Sequence, residues 1–177
     1  VCLSPGVGGG GVQDLHRGDC QLITQRGGAL SERLRNATQD LFTLGFAALC
    51  RINSDSPTVP AASFAEAERI LSQPGERLVL GPSDDGGYYL IGLNQPGPRI
   101  FERIEWSTNR VLKQTLARAA ELQLPVHLLP AGYDVHHAET FSRLWLCLSG
   151  PNVSRNGSTP PAPPPPLTLP RRGLAPC

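Results

Sequence analysis

Short apolar runs alternate with longer stretches of helical hydrophobic periodicity through the middle of this chain, and that alternation limits what it can fold into. Phe46–Ile52, Arg77–Leu80, Tyr88–Leu93 and Val126–Leu129 read as buried strands, each a short apolar run without strict alternation. Ala29–Leu44 repeats Leu30, Leu34, Ala37, Leu41 and Leu44 at three- and four-residue steps, and Gly45 follows as a stop signal. Ser63–Leu71, with Ser63 or Pro60 near its start, reads as a second helix. Thr108–Leu122 is a third, with Val111, Leu112, Leu116 and Ala119 on one face, and Ala138–Leu148 a fourth. Strands separated by helices of about 10–15 residues imply βαβ units, hence an α/β fold with a mostly parallel sheet and flanking helices. Such sheets hold ligands at the carboxyl ends of their strands.

Residues just past each strand are therefore the first candidates for chemistry. Arg77–Leu80 and Tyr88–Leu93 enclose Gly81-Pro82-Ser83-Asp84-Asp85-Gly86-Gly87. Gly86 and Gly87 can take backbone angles closed to other residues and let a ligand approach the main chain. Asp84 and Asp85 put carboxylates at the rim of a sheet, where a hard cation or sugar hydroxyls can be held. The same residues also suit a plain hairpin turn with solvated aspartates. Asn53-Ser54-Asp55-Ser56-Pro57 follows the first strand, so Asp55 either faces a diphosphate and its metal or caps the next helix. Ahead of the third helix, Ser107 or Thr108 can cap exposed amides, while Trp106 either stacks on a ring or packs. Tyr133-Asp134-Val135-His136-His137 follows the last strand. His136 there is a ligand for Mn or a zinc-like ion, poorly suited to Mg, or one half of a surface His pair.

The block "LGPSDDGGYYLIGL", preceded by "NSDSPTVP" and followed by "FERIEWSTNRVLKQTLARAAELQLPVHLLP", resembles one family. It is a group of bacterial GT-A-like proteins described as uncharacterised glycosyltransferases of the arsenosugar-biosynthesis type. They are related to the nucleotidyltransferases that activate molybdopterin or phospholactate. The resemblance runs from about Gln25 to Leu146. It implies a Rossmann-like nucleotide-diphospho-sugar transferase (GT-A) fold. It also implies metal-dependent transfer of a glycosyl or nucleotidyl group from a nucleotide or nucleotide-sugar donor to a small-molecule acceptor. By the same resemblance Asp55 is the metal-associated aspartate, and Asp84, Asp85, Gly86 and Gly87 form the acidic turn on the acceptor or sugar side. One of the two aspartates is then a general base and the other structural. Trp106, Ser107 and Thr108 line the pocket edge. Asp134 and His136 complete the metal site, with His136 standing where the family has a second aspartate. The implied cofactor is a divalent cation, Mg or Mn.

The front of the chain departs from that pattern. The family opens with a strand and a "K-x-P-x-x-G-x-x-K-T-R-L" loop around the nucleotide, of which Ser4-Pro5-Gly6 is only a faint echo. The expectation is therefore a GT-A domain truncated at its N-terminus by about one βαβ unit. Two functional readings follow: an active transferase, or a catalytically inactive remnant serving as a binding or scaffold domain. Loss of a sheet-forming unit would also leave an unpaired edge, which favours a homodimer.

Composition sets the remaining bounds. A chain of 177 residues suits one domain. Its 18 prolines and 19 glycines gather toward the ends, which divides the chain into a flexible Gly-rich lead-in (1–20), an α/β domain (21–150) and a disordered Pro-rich tail (151–177). Gly8–Gly11 lacks the flanking strand and the Lys-Ser/Thr of a phosphate loop. A net charge of +1 gives no electrostatic argument for nucleic acid or an anionic membrane, and neither is expected as a partner. No run of about 18 apolar residues is present to cross a bilayer. The five cysteines are widely spaced with no CxxC pair, so neither a zinc knuckle nor a disulfide framework is expected. Reduced thiols in a cytoplasmic protein are the reading, and the sequons at Asn36, Asn152 and Asn156 then carry no meaning.

Overall fold

The computed structural model describes residues 2–3, 23–53, 56–133 and 135. Two short strands, β1 (Cys2–Leu3) and β2 (Ile23–Thr24), pair in parallel. Helix α1 (Leu30–Thr43) follows, then β3 (Leu49–Ile52), α2 (Ala61–Leu71), β4 (Leu78–Pro82) and β5 (Tyr88–Leu93). A 3₁₀ turn (Pro98–Phe101), α3 (Val111–Glu121) and β6 (Val126–Leu128) complete the described elements. The rest of the Gly-rich lead-in, the expected helix Ala138–Leu148 and the Pro-rich tail lie outside the described residues.

The main sheet has four strands in the order β3-β5-β4-β6. Every residue of β5 is buried, as its unbroken apolar run requires of a strand flanked on both edges and covered on both faces. One face carries α1, the 3₁₀ turn and α3, which bring Leu34, Ile100, Phe101, Val111 and Ala119 against Leu78, Leu80, Ile91 and Leu93. The other carries α2, with Ala67, Ile70 and Leu71 against Val79, Leu90 and Leu129. The α/β class expected from the sequence is the fold observed.

The sheet is mixed, however, rather than mostly parallel. β5 runs antiparallel to both β3 and β4, and within this sheet only β4 and β6 pair in parallel. The cause is the length of the link between β4 and β5. Residues 83–87 make a turn, whereas a parallel neighbour needs a crossover of a dozen or more residues. β3, β4 and β6 still share one direction, so their carboxyl ends lie along one edge.

Element boundaries shift for local reasons. β3 begins at Leu49, and Phe46 is half exposed. α2 starts behind Pro60, which puts Ser63 inside its first turn, buried. α3 starts at Val111, three residues later than expected, where the Thr108 hydroxyl bonds the Glu105 carbonyl and the Arg110 amide and holds the chain ahead of it in a turn. At the head of α1 the Glu32 carboxylate reaches back to the amides of Gly28 (2.9 Å) and Ala29 (3.5 Å), half of a capping box. Those two amides hold the Glu32 carboxyl below the usual carboxylate range.

A register shift between Gly81 and Pro82 makes Tyr89 the extra residue of a bulge in β5. Tyr89 and Leu90 consequently both face the α2 core although the two are adjacent, while Tyr88 points into the α1–α3 core. The Tyr88 hydroxyl is buried without a hydrogen-bond partner among the described residues, and burial pushes its pKa up to about 12. Thr115 and Arg51 favour the ionised form weakly, but the Thr115 hydroxyl does not reach hydrogen-bond geometry. Because the folded pKa lies above the unfolded value of 10, this group's stabilisation is complete below pH 10. It disappears as pH rises to about 12, a loss on the order of 2–3 kcal/mol at roughly 1.4 kcal/mol per unit. Denaturant titrations from pH 9 to 12 should show this loss in the wild type and its absence in Tyr88→Phe. Parallel curves for the two proteins would contradict the burial of the hydroxyl.

Candidate functional site

The turn between β4 and β5 stands at the edge where β3, β4 and β6 end. Within it the Ser83 amide donates to the Gly87 carbonyl (3.1 Å), and the Gly86 amide to the Ser83 carbonyl (3.1 Å). Gly86 takes φ +86°, and a Cβ there would lie 2.2 Å from the Asn109 carbonyl oxygen. Only glycine satisfies both constraints. The Gly86 carbonyl in turn accepts from the Leu112 amide (2.9 Å), so the turn is bonded to the first turn of α3.

The two aspartates differ in their engagements. Asp85 Oδ1 accepts the Gly87 amide at 2.9 Å, an Asx-type bond that fixes its carboxylate within the turn. Asp84 is anchored through its backbone, its amide donating to the Gly132 carbonyl (3.1 Å), and its side chain is exposed. Ser83, between the strand and these acids, is only 5% exposed, and its hydroxyl has no hydrogen-bond partner among the described residues.

Three further segments are tied to this turn. Gly132 bridges Ser83 in parallel fashion, and its amide donates to the Pro82 carbonyl (2.8 Å), which draws the exit of β6 alongside. Tyr89 holds the same exit from the other face, with its hydroxyl on the Pro130 carbonyl (3.0 Å). Its ring fills the space that a Cβ on Gly81 would need, 2.3 Å from Tyr89 Cζ. Asn53, after β3, is pinned to β5 twice: its amide donates to the Tyr89 carbonyl (3.0 Å) and its Nδ2 to the Tyr88 carbonyl (3.2 Å).

Asp84, Asp85, Gly86 and Gly87 are thus brought into one turn, with residues 109–112 packed against it. Trp106 is half-buried against the α1–α3 core, and its indole N–H donates to Ser31 Oγ (2.9 Å). Ser107 is exposed. The Thr108 hydroxyl donates to the Glu105 carbonyl (2.7 Å) and accepts from the Arg110 amide (3.2 Å), so it shapes the loop ahead of α3. Asp55, Asp134 and His136 lie outside the described residues. Among the described residues no three His, Cys, Asp or Glu side chains form a group able to hold a metal ion. Asp84 and Asp85 offer hard oxygen donors of the kind Mg or Mn takes, but two carboxylates fall short of a cage.

Sequence reasoning missed Asn109, Gly132 and the anchoring role of Tyr89. Asn109 and Gly132 belong to no motif, and their part here comes from backbone contacts with residues 23 and more positions away. Tyr89 sat within the quoted block as one more apolar strand residue. Only the adjacent glycine at 81, an unusual choice inside a buried strand, signalled a large side chain crossing over it. No described helix is long and apolar enough to cross a membrane.

Comparison with curated proteins gives no match. Among solved structures, a protein of Desulfovibrio desulfuricans G20 described as a candidate nucleotide-diphospho-sugar transferase is similar in fold, with a TM-score of 0.76 and 26% sequence identity. The match covers 88% of this chain and 68% of that one. A family of sequences described as uncharacterized proteins conserved in bacteria matches residues 1–108, a span that includes both β3 and the acidic turn. By that match, the chain belongs to this bacterial family, DUF2064.

Proposed function

We propose that this protein binds a nucleotide-activated donor at the carboxyl edge of β3, β4 and β6 and transfers its glycosyl or nucleotidyl group to a small acceptor. The observation that carries this reading is the convergence on one edge of Asn53, the Asp84–Gly87 turn and Gly132, in a fold shared with a candidate nucleotide-diphospho-sugar transferase. Ligands of open α/β sheets sit at that edge.

The differing engagements of the aspartates divide their roles. Asp85, bonded to the Gly87 amide, keeps the turn in shape. Asp84, exposed at the rim of the turn, orients the acceptor and takes the proton from its attacking hydroxyl. Gly86 and Gly87 leave the main chain open to the sugar or acceptor. Ser107 and Thr108 border the loop beside the turn, and Trp106 supports that loop from the core side. In this proposal a divalent cation, Mg or Mn, is held by Asp55, with Asp134 or His136 completing its shell. Such an ion offsets charge on the leaving phosphate.

The test is thermal melting of the purified chain against nucleotides and nucleotide sugars, with and without Mg or Mn. A donor at a hundred times its dissociation constant adds about 2.7 kcal/mol of stability. For a domain of this size that corresponds to a shift of about 5–10 °C. The expected result is a metal-dependent shift with one class of base, abolished by Asp55→Ala. A cooperative melt unmoved by every donor would replace this reading with that of an inactive remnant.

A further inference from the structure

Arg51 is a half-buried cation at the working edge of the sheet for which no described residue supplies a counter-charge. It is the next-to-last residue of β3, one position short of the strand's carboxyl end. Cross-strand partners share a face, and Arg51 lies opposite Ile91 as Leu49 lies opposite Leu93. Ile91 and Leu93 belong to the α1–α3 core, so Arg51 projects on that side of the sheet. Cys50 keeps the alternation: its Sγ and Leu71 of α2 both border the position a Cβ on Gly92 would take. The Arg51 guanidinium is near enough to the Tyr88 hydroxyl to favour its ionised form. Asn53, two positions on, donates to the Tyr88 carbonyl, so the exit of β3 is held against β5 at this level.

No hydrogen bond and no ion pair engages the Arg51 guanidinium among the described residues. Nor is any of its nitrogens enclosed without a partner, as Arg77 Nε is, so the fork is open to a ligand. The contrast with other arginines is clear. Arg118, more deeply placed, has two carboxylates, and the exposed Arg26, Arg69 and Arg110 have one each. Taking a cation partly out of water costs free energy that a partner must offset. An oxyanion arriving from outside fits that need, because the guanidinium fork presents paired donors matched to phosphate oxygens.

We infer that Arg51 binds a phosphate of the donor at the carboxyl end of β3. The identity of the anion rests on the transferase reading, and the site rests on the placement of Arg51. Asp84 and Asp85 put negative charge at the same edge, so a diphosphate there needs a cation. Arg51 supplies one that no metal ion has to bring.

Inorganic pyrophosphate without added divalent ion is the probe, which keeps the proposed metal site out of the measurement. ¹⁵N-resolved NMR of the full chain reads the Arg51 Nε–H signal, with the amides of Ile52, Asn53 and Tyr88 beside it. Pyrophosphate at constant ionic strength should shift these signals saturably, and acetate should bind at least about tenfold more weakly. Arg51→Met should weaken pyrophosphate by about tenfold or more, the scale of a hydrogen bond to a charged group. Arg51→Lys, which keeps the charge and loses the fork, should fall between the two. Arg99→Met removes the same charge beside Leu93, at the other end of the sheet, and should change the affinity by less than about twofold. Should Arg51→Met fail to fold, Arg51→Lys and the wild-type Nε–H shift decide. Absence of saturable shifts, acetate bound as tightly as pyrophosphate, or unchanged affinity in the Arg51 variants would overturn the inference. The two readings also fail separately. A donor-induced melting shift undiminished in Arg51→Met would remove Arg51 from the site and leave the transferase. Pyrophosphate held on Arg51 in a chain that accepts no nucleotide donor would keep the oxyanion site and remove the transferase.

Discussion

Gly86→Ala should cost the fold about 2–5 kcal/mol and lower its melting temperature by roughly 5–15 °C. Two effects add. Holding a β-carbon at φ +86° costs about 1–2 kcal/mol by itself. The new methyl would also lie 2.2 Å from the Asn109 carbonyl oxygen, and backbone cannot swing aside as a flexible side chain does. Residues 109–112 would have to retreat, stretching the bond from the Leu112 amide to the Gly86 carbonyl. Overpacking of that kind costs about 1–3 kcal/mol more. Gly45→Ala is the matched control, since Gly45 has φ +93° with nothing within 4 Å of the position its Cβ would take. It should show the backbone cost alone. If urea denaturation gave the same loss for both variants, the Asn109 loop would not be held against the acidic turn. The proposed site depends on that contact, so Gly86→Ala should also abolish any donor-induced melting shift in whatever fraction stays folded.

The acidic turn was legible in the sequence because its signals are local. Two acids and two glycines between apolar runs give a turn whatever surrounds them, and the structure puts them there. The direction of β5 was within reach of the sequence too: five residues cannot make a parallel crossover, and β5 comes back antiparallel in the hairpin that the turn residues suit. What no local pattern could give was the use made of each side chain. The indole N–H of Trp106 is bonded to Ser31, 75 positions earlier, so its place in the loop is set by α1 rather than by its neighbours. Asp84 and Asp85 are the same residue type side by side, and nothing in their spacing foretells that the Gly87 amide bonds Asp85. Gly132 reaches the turn through pairing between segments about 50 positions apart in the chain. That kind of contact decides a site, and sequence spacing does not carry it.

The charge cluster around Arg118 leads to the other large effect, and its sign is opposite to a first guess. Arg118 projects from α3 with a side chain only 4% exposed, donating through Nε to the Arg99 carbonyl (3.0 Å) and through Nη2 to Glu102 (3.0 Å). Its Nη1 donates to Glu121. The two carboxylates are 41% and 56% exposed, so desolvation falls almost wholly on the cation. Removing the arginine therefore returns two acids to water and leaves no charge stranded. Arg118→Met, which keeps most of the aliphatic stem in place, should cost only about 1–2 kcal/mol. Removing the acids does the reverse. Glu102→Gln with Glu121→Gln leaves a buried guanidinium with neutral partners, and breaking a buried pair in that sense costs about 3–5 kcal/mol. The combined variant, with Arg118→Met added to both glutamine changes, should regain stability over the double variant because the stranded charge is gone. Denaturant titrations of the three proteins at neutral pH read this order directly. A triple variant less stable than the double one would mean that Arg118 is held by packing and by the Arg99 carbonyl rather than by its acids, and that α3 is fastened to the 3₁₀ turn without their help.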